Sequence, residues 1–132
     1  MATSGTPKEG LDLIGERTYV NGADLTLIAY TNTADSLNAD SVYADLTQPT
    51  SANGYAPILL NGTWTATDGI MTYVHSTPTH PTWTATGTWS ATVRGVAIVS
   101  GTSTLVHFKD LSVAFTAANG RKLAVDLDTV IA

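Results

Sequence analysis

The chain has 132 residues, 43% of them apolar and only 13% charged, with no cysteine and a formal net charge of −5. That length suits a single domain, and the apolar fraction is too high, and the charge too sparse, for a disordered chain. Six basic residues scattered through an acidic chain argue against a phosphate-binding surface, and the lack of cysteine excludes disulfides, thiolate zinc sites and a cysteine nucleophile.

In chain order, residues 1–10 are mostly small and polar and read as a flexible N-terminal arm ahead of a β domain over residues 11–132. No apolar stretch there resembles the core of a secretory leader, and no run anywhere reaches the ~20 residues that cross a bilayer. Residues 11–16 form the one stretch with helical character, so very little helix is expected. Strands are expected over 23–30, 55–60, 63–67, 70–75, 82–90, 92–100, 105–109, 111–116 and 122–131, where β-branched, aromatic and small residues gather. Between them stand Asn21-Gly22, Asn53-Gly54, Asn61-Gly62, Asp68-Gly69 and Asn119-Gly120, pairs that tolerate the positive φ of hairpin turns.

Short strands at this spacing predict an all-β fold, a single antiparallel β-sandwich of jelly-roll or immunoglobulin-like type. Thr supplies 23 positions, and Thr-Trp-Thr-Ala-Thr occurs twice, at 63–67 and 82–86. With a period of two, that pattern buries Trp on one face and turns Thr to the other. In the last run Leu123, Val125 and Leu127 share one face, while Ala124, Asp126 and Asp128 share the other.

Chemistry-bearing constellations are thin. His75 and His80 flank a Pro-bearing loop, and His107 lies in a strand, but no neighbouring Glu or Cys completes a metal shell, so no metal or cofactor is expected. Asp35, Asp40 and Asp45 lack the spacing of a calcium loop, and with Asp68 they read as solvated carboxylates. Two of Asp40, Asp45 and Asp68 would have to meet in a cleft to hydrolyse a glycan. No nucleophile elbow, phosphate loop or dinucleotide fingerprint occurs, which points away from an enzyme and leaves no catalytic residue to name. Asn61-Gly62-Thr63 matches a glycosylation acceptor without other signs of secretion. Trp64, Trp83 and Trp89 would serve either as core or as a stacking platform for sugars. No Lys or Arg occurs between Arg17 and Arg94, an interval holding Asp24, Asp35, Asp40, Asp45 and Asp68, an asymmetry suited to a complementary neighbour.

Three segments carry a resemblance: Tyr30-Thr31-Asn32-Thr33, then Val42-Tyr43-Ala44-Asp45-Leu46-Thr47-Gln48-Pro49, then Gly54-Tyr55-Ala56-Pro57-Ile58-Leu59-Leu60. Together with the Gly-bearing apolar run at 93–99 and the closing run at 123–131, they resemble a small β-rich structural protein of tailed bacteriophages over residues 20–132. The Trp-Thr duplication around residues 75–81 departs from that pattern and marks a variable, partner-facing part. The resemblance implies a non-enzymatic virion component, with capsid decoration (cement) as the favoured role on the capsid surface. The implied partners are the major capsid protein and further copies of itself, a trimer being one suitable homo-oligomer, with neither nucleic acid nor membrane. Residues 1–10 and 31–41 would reach onto a neighbour. A tail, collar or fibre-associated module binding host-surface glycans, or another virion protein, is the alternative.

Overall fold

The computed structural model describes residues 25–33, 35–68, 70–74, 80–100 and 104–127. The expected arm at 1–10, the helical stretch at 11–16 and the Asn21-Gly22 turn lie outside the described residues, as do His75 and the end of the last run.

Among the described residues eight strands form: β1 (Leu25–Tyr30), β2 (Ile58–Leu59), β3 (Thr63–Thr67), β4 (Ile70–Val74), β5 (Thr82–Thr84), β6 (Val93–Ser100), β7 (Thr104–Phe115) and β8 (Lys122–Ala124). One 3-10 turn spans Tyr43–Asp45. All pairings are antiparallel, in a four-stranded sheet ordered β2-β1-β6-β7 and two ribbons, β3-β4 and β5-β8. The fold is all-β and sandwich-like, as the strand spacing predicts.

The sheet is covered on both faces. Leu25, Leu27 and Ala29 of β1 and Val96 and Ile98 of β6 face a core completed by Trp64 and Tyr73 of the first ribbon, Trp83 of the second, and Tyr55, Trp89, Phe115, Val125 and Leu127. Ile28, Tyr30, Ala97 and Val99, on the other face, are packed by Leu37, Tyr43 and Leu46 of the segment before β2 and by Leu105 and Phe108 of β7. Burial on both faces is why β1 and β6 read as continuous apolar runs and the ribbons alternate.

The ribbons follow the expected alternation. In β3, Trp64 is buried between exposed Thr63 and Thr65, and in β5 Trp83 is buried beside exposed Thr84. The β3–β4 hairpin closes between Thr67 and Ile70, which lie opposite each other, with Asp68 at φ 55°, the positive-φ geometry a tight hairpin requires.

Five runs differ substantially from their expected bounds. The run at 82–90 is strand only as far as Thr84: Ala85 N–H still donates across the ribbon to Arg121 O (2.8 Å), but Thr86 N–H donates to Asn53 O (2.9 Å), pulling the chain off it. In the described part of the run at 122–131, strand covers Lys122–Ala124, and Val125 and Leu127 keep their buried face and Asp126 its exposed one. The run at 55–60 shrinks to Ile58–Leu59. The runs at 105–109 and 111–116 fuse into β7, because Asp110, the expected break, lies opposite Gly95 with its carboxylate bonded. β7 is irregular: Gly95 pairs with Asp110 but Val93 with Phe115, so the strand swells outward and leaves Val113 79% exposed.

The Asn-Gly pairs do varied work. Asn53 (φ 53°) and Gly54 (φ 92°) form a turn closed by Tyr55 N–H to Ala52 O (3.1 Å). A side chain on Gly54 would run into the Thr84 carbonyl oxygen, so the turn and β5 require glycine there. Asn119-Gly120 turns the chain between β7 and β8, which belong to different sheets, with Arg121 N–H donating to Ala118 O (2.9 Å).

Candidate functional site

The residue types that would support catalysis are dispersed. His80 is exposed and His107 is half-buried in β7, and among the described residues no group of three or more His, Cys, Asp or Glu could hold a metal ion. Asp35, Asp40, Asp45 and Asp68 are all exposed. The Asp45 carboxylate accepts the Val42 N–H (2.8 Å) at the start of the 3-10 turn, and Asp68 occupies the β3–β4 hairpin turn, so neither serves a cleft as a buried acid. Asp40 and Asp45 line an open hollow of about 340 Å³ with Asn32, Ser36, Leu37, Asn38 and Ser41. A second hollow of about 340 Å³ runs between Asn38, Ala39 and Ser41 and the β7 residues Leu105 to Phe108. Among the described residues no buried side-chain nitrogen or oxygen lacks a hydrogen-bond partner, so nothing buried aims an unsatisfied group at a ligand.

The tryptophans are core. Trp64, Trp83 and Trp89 are all buried. Trp83 Nε1 donates to Ala56 O (2.7 Å) and Trp89 Nε1 to Asn53 O (2.8 Å). Tyr55 packs between them, with ring centroids 5.6 Å from Trp83 and 5.2 Å from Trp89, and Trp64 lies 4.4 Å from Tyr73. None of these rings is presented to a sugar face.

Asp110, which sequence reasoning did not single out, is the carboxylate tied to the core. It accepts the Tyr30 hydroxyl (2.6 Å) through one oxygen and the Asp35 N–H (2.9 Å) through the other. Burial, and then the Asp110 carboxylate, hold the Tyr30 hydroxyl far above its ordinary ionisation range.

Residues 30–33, 42–49 and 54–60 interlock. Asn32 acts as a two-way clamp, its Nδ2 donating to Asp45 O (2.8 Å) and its Oδ1 accepting Thr47 N–H (2.9 Å). Beside it Thr31 N–H donates to Thr47 O (2.7 Å). Gln48 Oε1 accepts the Tyr55 hydroxyl (2.6 Å), whose oxygen accepts Ala29 N–H (3.1 Å). Burial pushes the Tyr55 hydroxyl up to about 12, the Ala29 bond opposing that rise. Asn32, Asp45, Thr47, Gln48 and Tyr55 thus fasten residues 44–48 to the end of β1, a scaffolding role that explains why these residue types stand together.

What the scaffold leaves outside is a surface. On the outward face of the β3–β4 hairpin, Thr63 lies opposite Val74, Thr65 opposite Thr72 and Thr67 opposite Ile70. All six are exposed, Ile70 to 60% and Val74 to 56%, and none is charged. The inward face of the same hairpin, Trp64 against Tyr73, roots it in the core. Charge is depleted at the centres of protein interfaces, and β-branched side chains lose little rotamer freedom on being covered.

Comparison with family models, curated proteins and solved structures yields no match.

Proposed function

We propose that the chain is a non-enzymatic structural protein of a tailed-bacteriophage virion, acting as a capsid decoration protein. In this reading it binds the outer capsid lattice as a homo-oligomer, through contacts with the major capsid protein and with its own copies. Its work is mechanical. Area buried across neighbouring capsomers raises the cost of separating them, and repetition over the lattice converts small single contacts into high avidity.

The observation that carries this reading is the uncharged outward face of the β3–β4 hairpin, three cross-strand pairs held rigid by the Trp64–Tyr73 contact behind them. The resemblance of residues 30–33, 42–49 and 54–60 to phage structural proteins supplies the setting. The aspartates are exposed, Asp40 and Asp45 on one open hollow, and the tryptophans are buried, which favours a structural role over glycan hydrolysis or glycan stacking.

The test is location. Mass spectrometry and electron cryo-microscopy of purified particles are expected to find the chain in hundreds of copies on the outer face of filled heads. Heads depleted of it should lose their genome at lower temperature. A handful of copies confined to the tail, or absence from the particle, overturns the proposal.

A further inference from the structure

Asn-Gly pairs are chemically labile because the glycine nitrogen meets little steric hindrance in attacking the asparagine side-chain amide. The described residues contain three such pairs, and the fold restrains each differently. At Asn53 the side chain is fixed: Nδ2 donates to Thr88 O (2.7 Å), and the amide group packs against Gly87. Its carbonyl also accepts two donors, Thr86 N–H and Trp89 Nε1, so neither the side chain nor the backbone is free to turn. At Asn61 the attacking nitrogen is held, because Gly62 N–H donates to the hydroxyl of the buried Tyr73 (2.9 Å).

Asn119 differs. It stands with Ala118, Gly120, Arg121 and Lys122 in a run of five exposed residues, and a Cβ on Gly120 would meet no atom within 4 Å. The attacking nitrogen is restrained by one bond, Gly120 N–H to Ala85 O (2.8 Å). That bond reaches the buried Ala85, but it lies in an exposed turn at the end of the β5–β8 ribbon, where a local opening needs less free energy than one that disturbs Tyr73 in the core.

We propose that Asn119 is the Asn-Gly site, among the described residues, at which the folded protein deamidates spontaneously, with water as the only co-reactant. Gly120 N forms a bond to Asn119 Cγ, the Cγ–Nδ2 bond breaks, and ammonia departs with the proton lost by Gly120 N. Water then opens the cyclic imide at either carbonyl, giving aspartate or isoaspartate and adding one negative charge to a formal −5. The isoaspartate product lengthens the main chain by one methylene between residue 119 and Gly120. That displaces Gly120 N–H from Ala85 O and draws Arg121 O away from Ala85 N–H (2.8 Å), the two bonds that continue the β5–β8 ribbon. The modification is therefore a slow chemical clock acting on one ribbon of the sandwich.

The test incubates the purified full chain in mildly alkaline buffer, folded and in denaturant, and follows each Asn-Gly peptide by mass spectrometry with isoaspartate detection. In the folded protein the Asn119 peptide is expected to convert several-fold faster than those of Asn53 and Asn61, and in denaturant the three rates converge. Asn119→Gln, which leaves the Gly120–Ala85 bond in place, should remove the share of ammonia release assigned to residue 119. Faster conversion at Asn53 or Asn61, the same ranking in denaturant as in the fold, or no conversion of Asn119 while the unfolded chain converts overturns the proposal.

Discussion

The ring of Tyr30 lies across Gly95, in the space a side chain at that position would fill. The two are direct cross-strand partners, and Gly95 is in turn opposite Asp110 on β7, so Tyr30 passes over one strand to reach a carboxylate on the next. A glycine in the middle of a buried strand costs stability when nothing uses the gap. Here the gap admits an aromatic ring and a hydrogen bond that ties three strands together.

Gly95→Ala is therefore expected to lower stability by about 2–4 kcal/mol, through overpacking against a ring that has no room to retreat. Denaturant titration measures it. The double variant Tyr30→Leu with Gly95→Ala should lose less than the two single losses added, because the shorter side chain vacates the contact. Strict additivity would refute the packing relationship.

Asn32→Ala removes both arms of the clamp on Asp45 O and Thr47 N–H, at an expected cost of about 1–2 kcal/mol. Hydrogen exchange is the sharper readout. The Thr47 amide should lose protection, while Ile98 in the middle of β6 keeps its own until global unfolding. Asn32→Asp keeps the acceptor for Thr47 but turns the donor to Asp45 O into a repelling oxygen, so it should be no milder than the alanine.

Much of the architecture was legible because its causes are local. Thr63-Trp64-Thr65 alternates with period two, and Thr67 meets Ile70 just past the positive-φ Asp68, so neighbours in sequence decide the outcome. Where the reading went astray, the deciding partner was distant. β5 stops at Thr84 because Asn53 captures Thr86, and β7 runs through Asp110 because Tyr30, 80 positions away, supplies the bond that keeps a carboxylate in a strand. Asn32 and Gln48 could be flagged as part of a resembling segment, but their work as scaffold emerges only when residues 44–48 fold back on β1. The outward hairpin face was foreshadowed by the Thr alternation, since every second residue of β3 had to face away from Trp64.

The buried tyrosines set an alkaline limit. Tyrosines in the unfolded chain ionise near 10.0, whereas in the fold burial pushes Tyr55 up to about 12 and raises Tyr30 and Tyr73 as well. Above about pH 10 the unfolded state thus releases protons that the folded state retains, so stability is drawn down as pH rises. Below that pH the contribution of these tyrosines is constant. Thermal unfolding followed with tyrosinate absorbance should show these hydroxyls ionising together with loss of structure, not at their ordinary pH. Tyr55→Phe should lower stability by about 1 kcal/mol at neutral pH, since Gln48 and Ala29 lose their partner, and make the alkaline decline shallower.

The hairpin face separates binding from folding. Thr65 is exposed at the centre of that face, opposite Thr72, and its replacement by Arg keeps the strand backbone and leaves the Trp64–Tyr73 contact behind it untouched. Exposed substitutions of this kind change stability by within about 0.5 kcal/mol, so Thr65→Arg should fold and unfold like the parent chain. On a surface built without charge, however, the guanidinium must lose its hydration when a partner covers it, a penalty repeated in every copy of a lattice. Occupancy on capsids, measured by adding the purified variant to particles stripped of the chain, is expected to fall at least tenfold. Arg introduced at Thr84, exposed on the other ribbon, provides the comparison and should bind as the parent does. Equal occupancy of the Thr65 variant and the parent would remove the β3–β4 face from the contact and, with it, the observation on which capsid decoration is proposed.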